Sequence, residues 1–295
     1  MKAILLGPGG QLGTDIRACN ERTGRFLDII PVDRARIDLS DIEAAAKLLR
    51  ELDFDLLINC SSYHRTDEAE RNANLAFTIN AHLVQRLAEV TEEKGATLVH
   101  FSTDYVFGGQ ALSAPIPETG AKAPVSVYGA SKAMGEDLAL LAGSKVFILR
   151  VASLFGVAGA SGKGGNFVET MIRLGRERGV LNVVADQIMS PTATADIAEA
   201  VLKLLKSGAP GGIWHAVNSG QASWYEFACR IIERAGIKAT VSPIPSMAYP
   251  TPAKRPAYSV LDNAKLVSAT GPLRPWRDAL DGYLAAKGYA VPAAS

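Results

Sequence analysis

KAILLGPGGQLG, residues 2–13, joins a short apolar run to a cluster of glycines and then to the start of a helical pattern. Ala3 to Leu6 is apolar at every position, which suits a strand covered on both faces of a parallel sheet. Gly7, Gly10 and Gly13 follow in a GxxGxxG spacing, with Gln11 and Leu12 at the head of the helix. A backbone that must approach a pyrophosphate at a helix N-terminus has no room for side chains. Its free N–H groups and the helix dipole then hold the negative charge. A glycine-rich turn without a ligand has the same spacing, but its place at the first strand–helix junction of a βαβ unit favours a dinucleotide loop.

Outward from that stretch, four more apolar runs read as strands: DIIPVD (28–33), DLLINC (55–60), TLVHFST (97–103) and KVFILRV (145–151). Helical patterns fill the gaps at 11–24, 41–53, 74–95 and 127–143, several of them ending at glycine. This βαβα alternation predicts an α/β fold with a doubly wound parallel Rossmann sheet over residues 1–151. Asp33 and Arg34 close the second run about 20 residues beyond the loop, where a ribose-binding acid is expected. Asp33 suits a free 2′-hydroxyl and NADH, Arg34 suits the 2′-phosphate of NADPH, and both readings stand.

After residue 151 the pattern changes. Glycines cluster at 156–165, followed by a helix (166–179), a strand (181–186), helices at 196–208 and 223–236, and a strand at 212–217. The proline-rich 242–259 is expected to be an ordered but irregular loop. Residues 152–295 are read mainly as a smaller C-terminal substrate-binding lobe, with parts of 180–217 returning to the main sheet and the 156–165 stretch serving as a hinge.

The 31 basic and 30 acidic residues leave a net charge of +1 without runs, so the basic stripe of a nucleic-acid binder is missing. Cys19, Cys60 and Cys229 are far apart and read as thiols in a reducing compartment. The apolar run after Met1-Lys2 meets Gly7 too soon for a signal peptide, and no segment reaches membrane-spanning length; a soluble cytoplasmic protein is expected. His64, His82, His100 and His215 lack metal-ligand spacing, so no metal site is assigned; His100 and His215 read as satisfied core histidines. No Ser–His–acid arrangement is legible, which leaves a serine hydrolase unsupported.

Tyr128-Gly-Ala-Ser-Lys132 places a tyrosine and a lysine at i and i+4 on one helical face. Alone, the pair reads better as a solvated helix face. The fourth strand, however, runs into Phe101-Ser-Thr-Asp-Tyr-Val-Phe107 at the carboxyl end of a central strand, where doubly wound folds build their sites. Together these point to a phenol that gives a proton, a lysine that tunes it, and a Thr103 hydroxyl that orients a carbonyl oxygen.

The ordered set GPGGQLG, LINCSSYHRTDEAE, HFSTDYVFGG, VYGASKAMGE, GNFVETMIRLG, ADQIMSPTATADIAEA and AYPTPAKRPAYS resembles the dTDP-4-dehydrorhamnose reductase family, within the extended short-chain dehydrogenases/reductases. The resemblance implies a catalytic trio of Thr103, Tyr128 and Lys132, with NADPH or NADH as cofactor. It implies dinucleotide contacts at Gly10, Gln11, Leu12, Asp33, Asp38, Leu39, Ser62, Tyr63, His64 and Phe101. Thr103 and Asp104 would meet the sugar, and Asn166 and Arg255 the nucleotide diphosphate. A Mg²⁺ between subunits is also implied for some members, with no ligands identifiable here. The expected partner is a nucleotide-sugar substrate, and the expected assembly a monomer or homodimer.

The sequence departs from the family at two places. The family's RTSW after the fifth strand reads Arg150-Val-Ala-Ser153 here, so Ser153 replaces a tryptophan that packs on the sugar. Arg65 brings a charge into the loop after the third strand, either to touch substrate or to face solvent. Two rival functions stay open: a catalytically silent NADP-binding regulatory subunit, like that of methionine adenosyltransferase, and a reductase or epimerase of another nucleotide sugar.

Overall fold

The computed structural model describes residues 1–159 and 165–289, so residues 160–164 of the expected hinge lie outside the described residues. The first half runs β1 (Lys2–Leu6), α1 (Gln11–Arg22), β2 (Asp28–Val32), α2 (Ile42–Glu51) and β3 (Leu56–Asn59). Short helices α3 (Thr66–Ala69) and α4 (Ala73–Phe77), a π-helical turn (Thr78–His82) and α5 (Leu83–Glu93) follow. Then come β4 (Thr97–Thr103), α6 (Val127–Ala142) and β5 (Val146–Val151). The second half holds β6 (Leu154–Phe155), α7 (Phe167–Arg178), β7 (Val180–Val184), β8 (Ile188–Met189), β9 (Thr192–Ala193), α8 (Thr194–Lys206) and β10 (Gly212–His215). It ends with β11 (Ala222–Ser223), α9 (Trp224–Arg234), β12 (Thr240–Ile244), α10 (Ala264–Thr270) and α11 (Trp276–Ala286).

Six strands form one sheet in the order β10-β5-β4-β3-β1-β2, every pair parallel. Strand periodicity sends alternate residues to opposite faces, and each face has its own core. Ala3, Leu5, Ile58, Val99 and Leu149 pack under α1 and α8 with Leu12, Ile16, Ile197 and Val201. Ile4, Leu6, Leu57, Leu98 and Ile148 pack under α2 and α5 with Ala45, Leu49, Leu83 and Leu87. This is the doubly wound Rossmann-type architecture that the continuous apolar runs call for.

A separate core gathers Phe155, Val168, Ile172, Leu181, Phe227, Ile231, Trp276 and Leu280 from the second half. Of the span 180–217, Gly212–His215 pairs with β5, whereas Val180–Val184 pairs with β12 outside the main sheet. The irregular loop expected from residue 242 gives way at its start to β12, where Pro243 sits opposite Val183. A two-stranded sheet is all edge, so a proline without an N–H is tolerated there. The single helix expected over 74–95 is interrupted by the π turn at Thr78–His82.

Candidate active site

Gly7 takes a left-handed φ of +74°, and α1 follows its N-cap Gly10 with no side-chain cap and no acid in its first turn. A Cβ on Gly13 would lie 2.3 Å from the Gly7 carbonyl oxygen, so only glycine lets α1 come this close to the loop. Gly9 has open space around it. Gln11 carries a buried Oε1 with no partner, and Leu12 is buried beneath. Uncapped amides, a backbone without side chains and an orphaned polar atom fit an anionic dinucleotide bridge. Past β2, Asp33 accepts from the Ala35 amide at 3.0 Å, with Arg34 exposed beside it. Asp38 accepts from the Ser40 amide and hydroxyl, which hold its carboxyl below the usual range, and Leu39 packs against the core.

Ser62, Tyr63 and His64 follow β3 as a half-buried loop. Asn80, inside the π turn, pins that loop: its Oδ1 accepts from the Tyr63 amide at 2.8 Å and its Nδ2 donates to the Tyr63 carbonyl at 3.1 Å. The same Nδ2 donates to Ser131 on α6 at 3.0 Å. Asn80 is fully buried inside the π turn. Its place within an apolar helical pattern gave no sequence signal.

At the carboxyl end of β4, the Thr103 hydroxyl accepts from the Tyr105 amide at 3.2 Å and donates to Asp104 Oδ1 at 3.1 Å. Asp104 Oδ2 accepts from Ser259 at 2.6 Å, and burial raises the carboxyl to about 6. α6 opens at Ser126, whose side chain caps the Gly129 amide at 3.2 Å. A Cβ on Gly129 would fall 2.2 Å from the Tyr105 carbonyl oxygen, so this glycine seats the helix against the end of β4. Tyr128 thereby meets Tyr105 edge-on with ring centroids 5.6 Å apart, and its phenol interacts with the Thr103 hydroxyl. Burial pushes Tyr128 up to about 12, with the nearby Asp104 charge adding to it. One turn on, Lys132 donates to the Phe101 carbonyl at 2.6 Å, and burial lowers it to about 7. Thr103, Tyr128 and Lys132 thus converge, with Asp104 and Phe101 beside them. A phenol that keeps its proton at neutral pH, beside a hydroxyl and a lysine, can protonate an oxyanion.

The proline-rich segment folds over this end of the sheet. Arg255 donates to Asp67 Oδ2 at 2.8 Å and lies over the Tyr105 ring, with its Nη1 buried and unpartnered. Asp67 also accepts from the Ala253 amide at 3.2 Å, so one carboxylate anchors the segment twice. Arg65 instead pairs with Glu68 at 3.0 Å on the surface. Asn166 caps α7 through the Glu169 amide and donates to the Gly156 carbonyl and the Tyr283 hydroxyl. Both ends of its amide have partners within the lobe. Ser153 sits just past β5 with a left-handed φ of 44°. Among the described residues no group of three or more His, Cys, Asp or Glu side chains could hold a metal, and no helix is long and apolar enough to cross a membrane.

A parallel doubly wound sheet with a glycine loop after β1 and a tyrosine–lysine pair beside β4 defines a short-chain dehydrogenase/reductase. The family described as RmlD substrate binding domain matches residues 1–288. The dTDP-4-dehydrorhamnose reductase of Mycobacterium tuberculosis is 38% identical over 97% of this chain and 93% of its own. A dTDP-4-dehydrorhamnose reductase from Clostridium acetobutylicum superposes with a TM-score of 0.90 at 36% identity, covering 98% of this chain and 100% of the other. The Bacillus anthracis enzyme, solved with NADP, gives 0.88 at 35% identity over 97% and 99%. This chain belongs to the dTDP-4-dehydrorhamnose reductase family.

Proposed function

We propose that this chain uses NADPH to reduce the C4 ketone of dTDP-4-dehydro-L-rhamnose to dTDP-L-rhamnose. The observation that carries the reading is the convergence of Thr103, Tyr128 and Lys132 at the end of β4, in a chain matched by the family over residues 1–288. The Gly7–Gly13 loop and the uncapped start of α1 hold the pyrophosphate of the dinucleotide, and Arg34 its 2′-phosphate. The bound dinucleotide supplies the hydride.

The rest falls to the protein. Thr103 turns its hydroxyl proton from Asp104 to the ketone oxygen and orients the carbonyl, while Tyr128, held protonated by burial, gives its proton to the oxygen as negative charge develops there. Lys132 offsets the charge then left on the phenol. Arg255, fixed by Asp67 with Nη1 free, takes the diphosphate of the nucleotide sugar. A nucleotide-bearing substrate and product support the cytoplasm as the site of action, and the assembly we propose is a monomer or homodimer.

The test is NADPH absorbance with purified protein and the keto-sugar, beside Tyr128→Phe. Rapid oxidation that falls by about 10²–10⁴ in the variant is expected. Tight dinucleotide binding with no oxidation would refute the rhamnose reading. Turnover of substrate without net NADPH loss would instead identify an epimerase, and Ser153 in place of an aromatic makes other keto-sugars the next substrates to try.

A further inference from the structure

Helix α6 begins at Val127, one residue before Tyr128, and the first amides of a helix have no partner inside it. Ser126, next door, takes the Gly129 amide. The Val127 amide is taken from much further off. It donates at 2.8 Å to Oε1 of Glu70, 57 residues earlier in the chain. Glu70 closes α3, and neither the dinucleotide contacts nor the proposed reaction uses it.

The two caps have different consequences. A cap from the adjoining residue moves with the helix, so it steadies the first turn without setting where that turn lies. A cap from a distant element ties the turn to that element. The chain leading into α6 is anchored at Ala123, whose amide donates to the Val106 carbonyl at 2.9 Å and whose carbonyl accepts from the Gly109 amide at 2.7 Å. Pro124, Val125 and Ser126 then cross to the helix. Gly129 sets how closely the turn approaches the Tyr105 backbone, and Glu70 fixes the same turn from α3.

α3 also holds the proline-rich segment. Asp67 accepts from the Ala253 amide at 3.2 Å and from Arg255 at 2.8 Å. Ala69 is fully buried, so α3 is itself firmly seated. Asp67 and Glu70 are three positions apart, on one side of the turn. One carboxylate grips the segment that carries Arg255, and the other grips the helix that carries Tyr128.

We infer that Glu70 is a positioning residue: through the Val127 amide it sets where the Tyr128 phenol stands relative to the substrate carbonyl. The inference rests on Tyr128 being the proton donor. It requires an acceptor at position 70 rather than a charge. Burial, the Thr103 hydroxyl and Asp104 set the proton affinity of Tyr128, so Glu70 acts on placement and leaves the titration of the phenol alone. Placement matters steeply, since a displacement of about 1 Å can cost about a hundredfold in rate.

Two variants test this. Glu70→Ala removes the acceptor, whereas Glu70→Gln keeps an amide oxygen at the same reach. In Glu70→Ala, kcat for NADPH oxidation should fall by about 10- to 100-fold. The KM for the sugar nucleotide, the calorimetric dinucleotide affinity and the pH profile should not change. Glu70→Gln should recover most of the loss. Wild-type kcat in a folded Glu70→Ala protein overturns the inference, and so does a Gln variant no better than the Ala variant. A shifted pH profile also overturns it, because charge would then be the cause. Hydrogen exchange on the substrate-free proteins needs no turnover. The start of α6 should exchange faster in Glu70→Ala than in wild type or Glu70→Gln, and equal rates overturn the inference. Failure of the wild-type protein to oxidise NADPH would instead count against the reductase reading, while exchange still judges the hold of Glu70 on α6.

Discussion

The loop after β1 and the end of β4 lie at the same edge of one sheet and are built from opposite materials. The loop works through what is left out: glycines, an uncapped helix start and room for a ligand against backbone. The end of β4 works through what is packed in: Thr103, Asp104, Tyr128 and Lys132 each hold partners drawn from distant parts of the chain. A site made of backbone fails when an atom is added. A site made of buried polar groups fails when one is taken away.

Three substitutions break or sharpen that contrast. Thr103→Val removes a hydroxyl from the second site; kcat should fall about a hundredfold, the cost of one donor to a developing oxyanion. Dinucleotide affinity by calorimetry should stay unchanged, and a parallel loss would mean that the two sites are not separable. Gly13→Ala adds one carbon to the first site, where it would press on the Gly7 carbonyl oxygen. Weakening of dinucleotide binding by about tenfold is expected, the range of a 1–3 kcal/mol overpacking strain, with kcat kept at saturating cofactor. Asp67→Asn should have the smallest effect, because its pair with Arg255 is partly exposed. The KM for the sugar nucleotide should rise about threefold, in line with a solvent-screened ion pair. A fall in kcat at constant KM would instead place Arg255 in the proton-transfer step.

The same contrast explains what could be read from the sequence. Strands β1 to β5 and the glycine loop are local patterns: continuous apolar runs and a spacing within one turn of chain. Thr103, Tyr128 and Lys132 were legible as motif positions, although only their convergence makes chemistry of them. Glu70, Asn80, Asp67 and Ser259 escaped because each acts across a gap in sequence that no periodicity records. Asn80, for instance, binds Tyr63 and Ser131 from inside an ordinary apolar helix pattern. From sequence His100 reads as a core histidine, which its full burial supports, but its ring faces Lys132. α10 and α11 have no clear signature in the sequence, since prolines at 272 and 275 break up the pattern around them.

One of the two outermost strands of the sheet, β10, is also the last of its six to be synthesised. His215 on β10 pairs with Arg150 on β5, 65 residues earlier in the chain. At ribosomal speeds of about 5–20 residues per second, the free edge of β5 waits roughly 3–13 s for its neighbour. In that interval Phe147, Ile148 and Leu149 lie beside unpaired backbone, the form of the chain most open to strand-to-strand association. Translation speed between residues 152 and 212 therefore bears directly on the yield of folded protein.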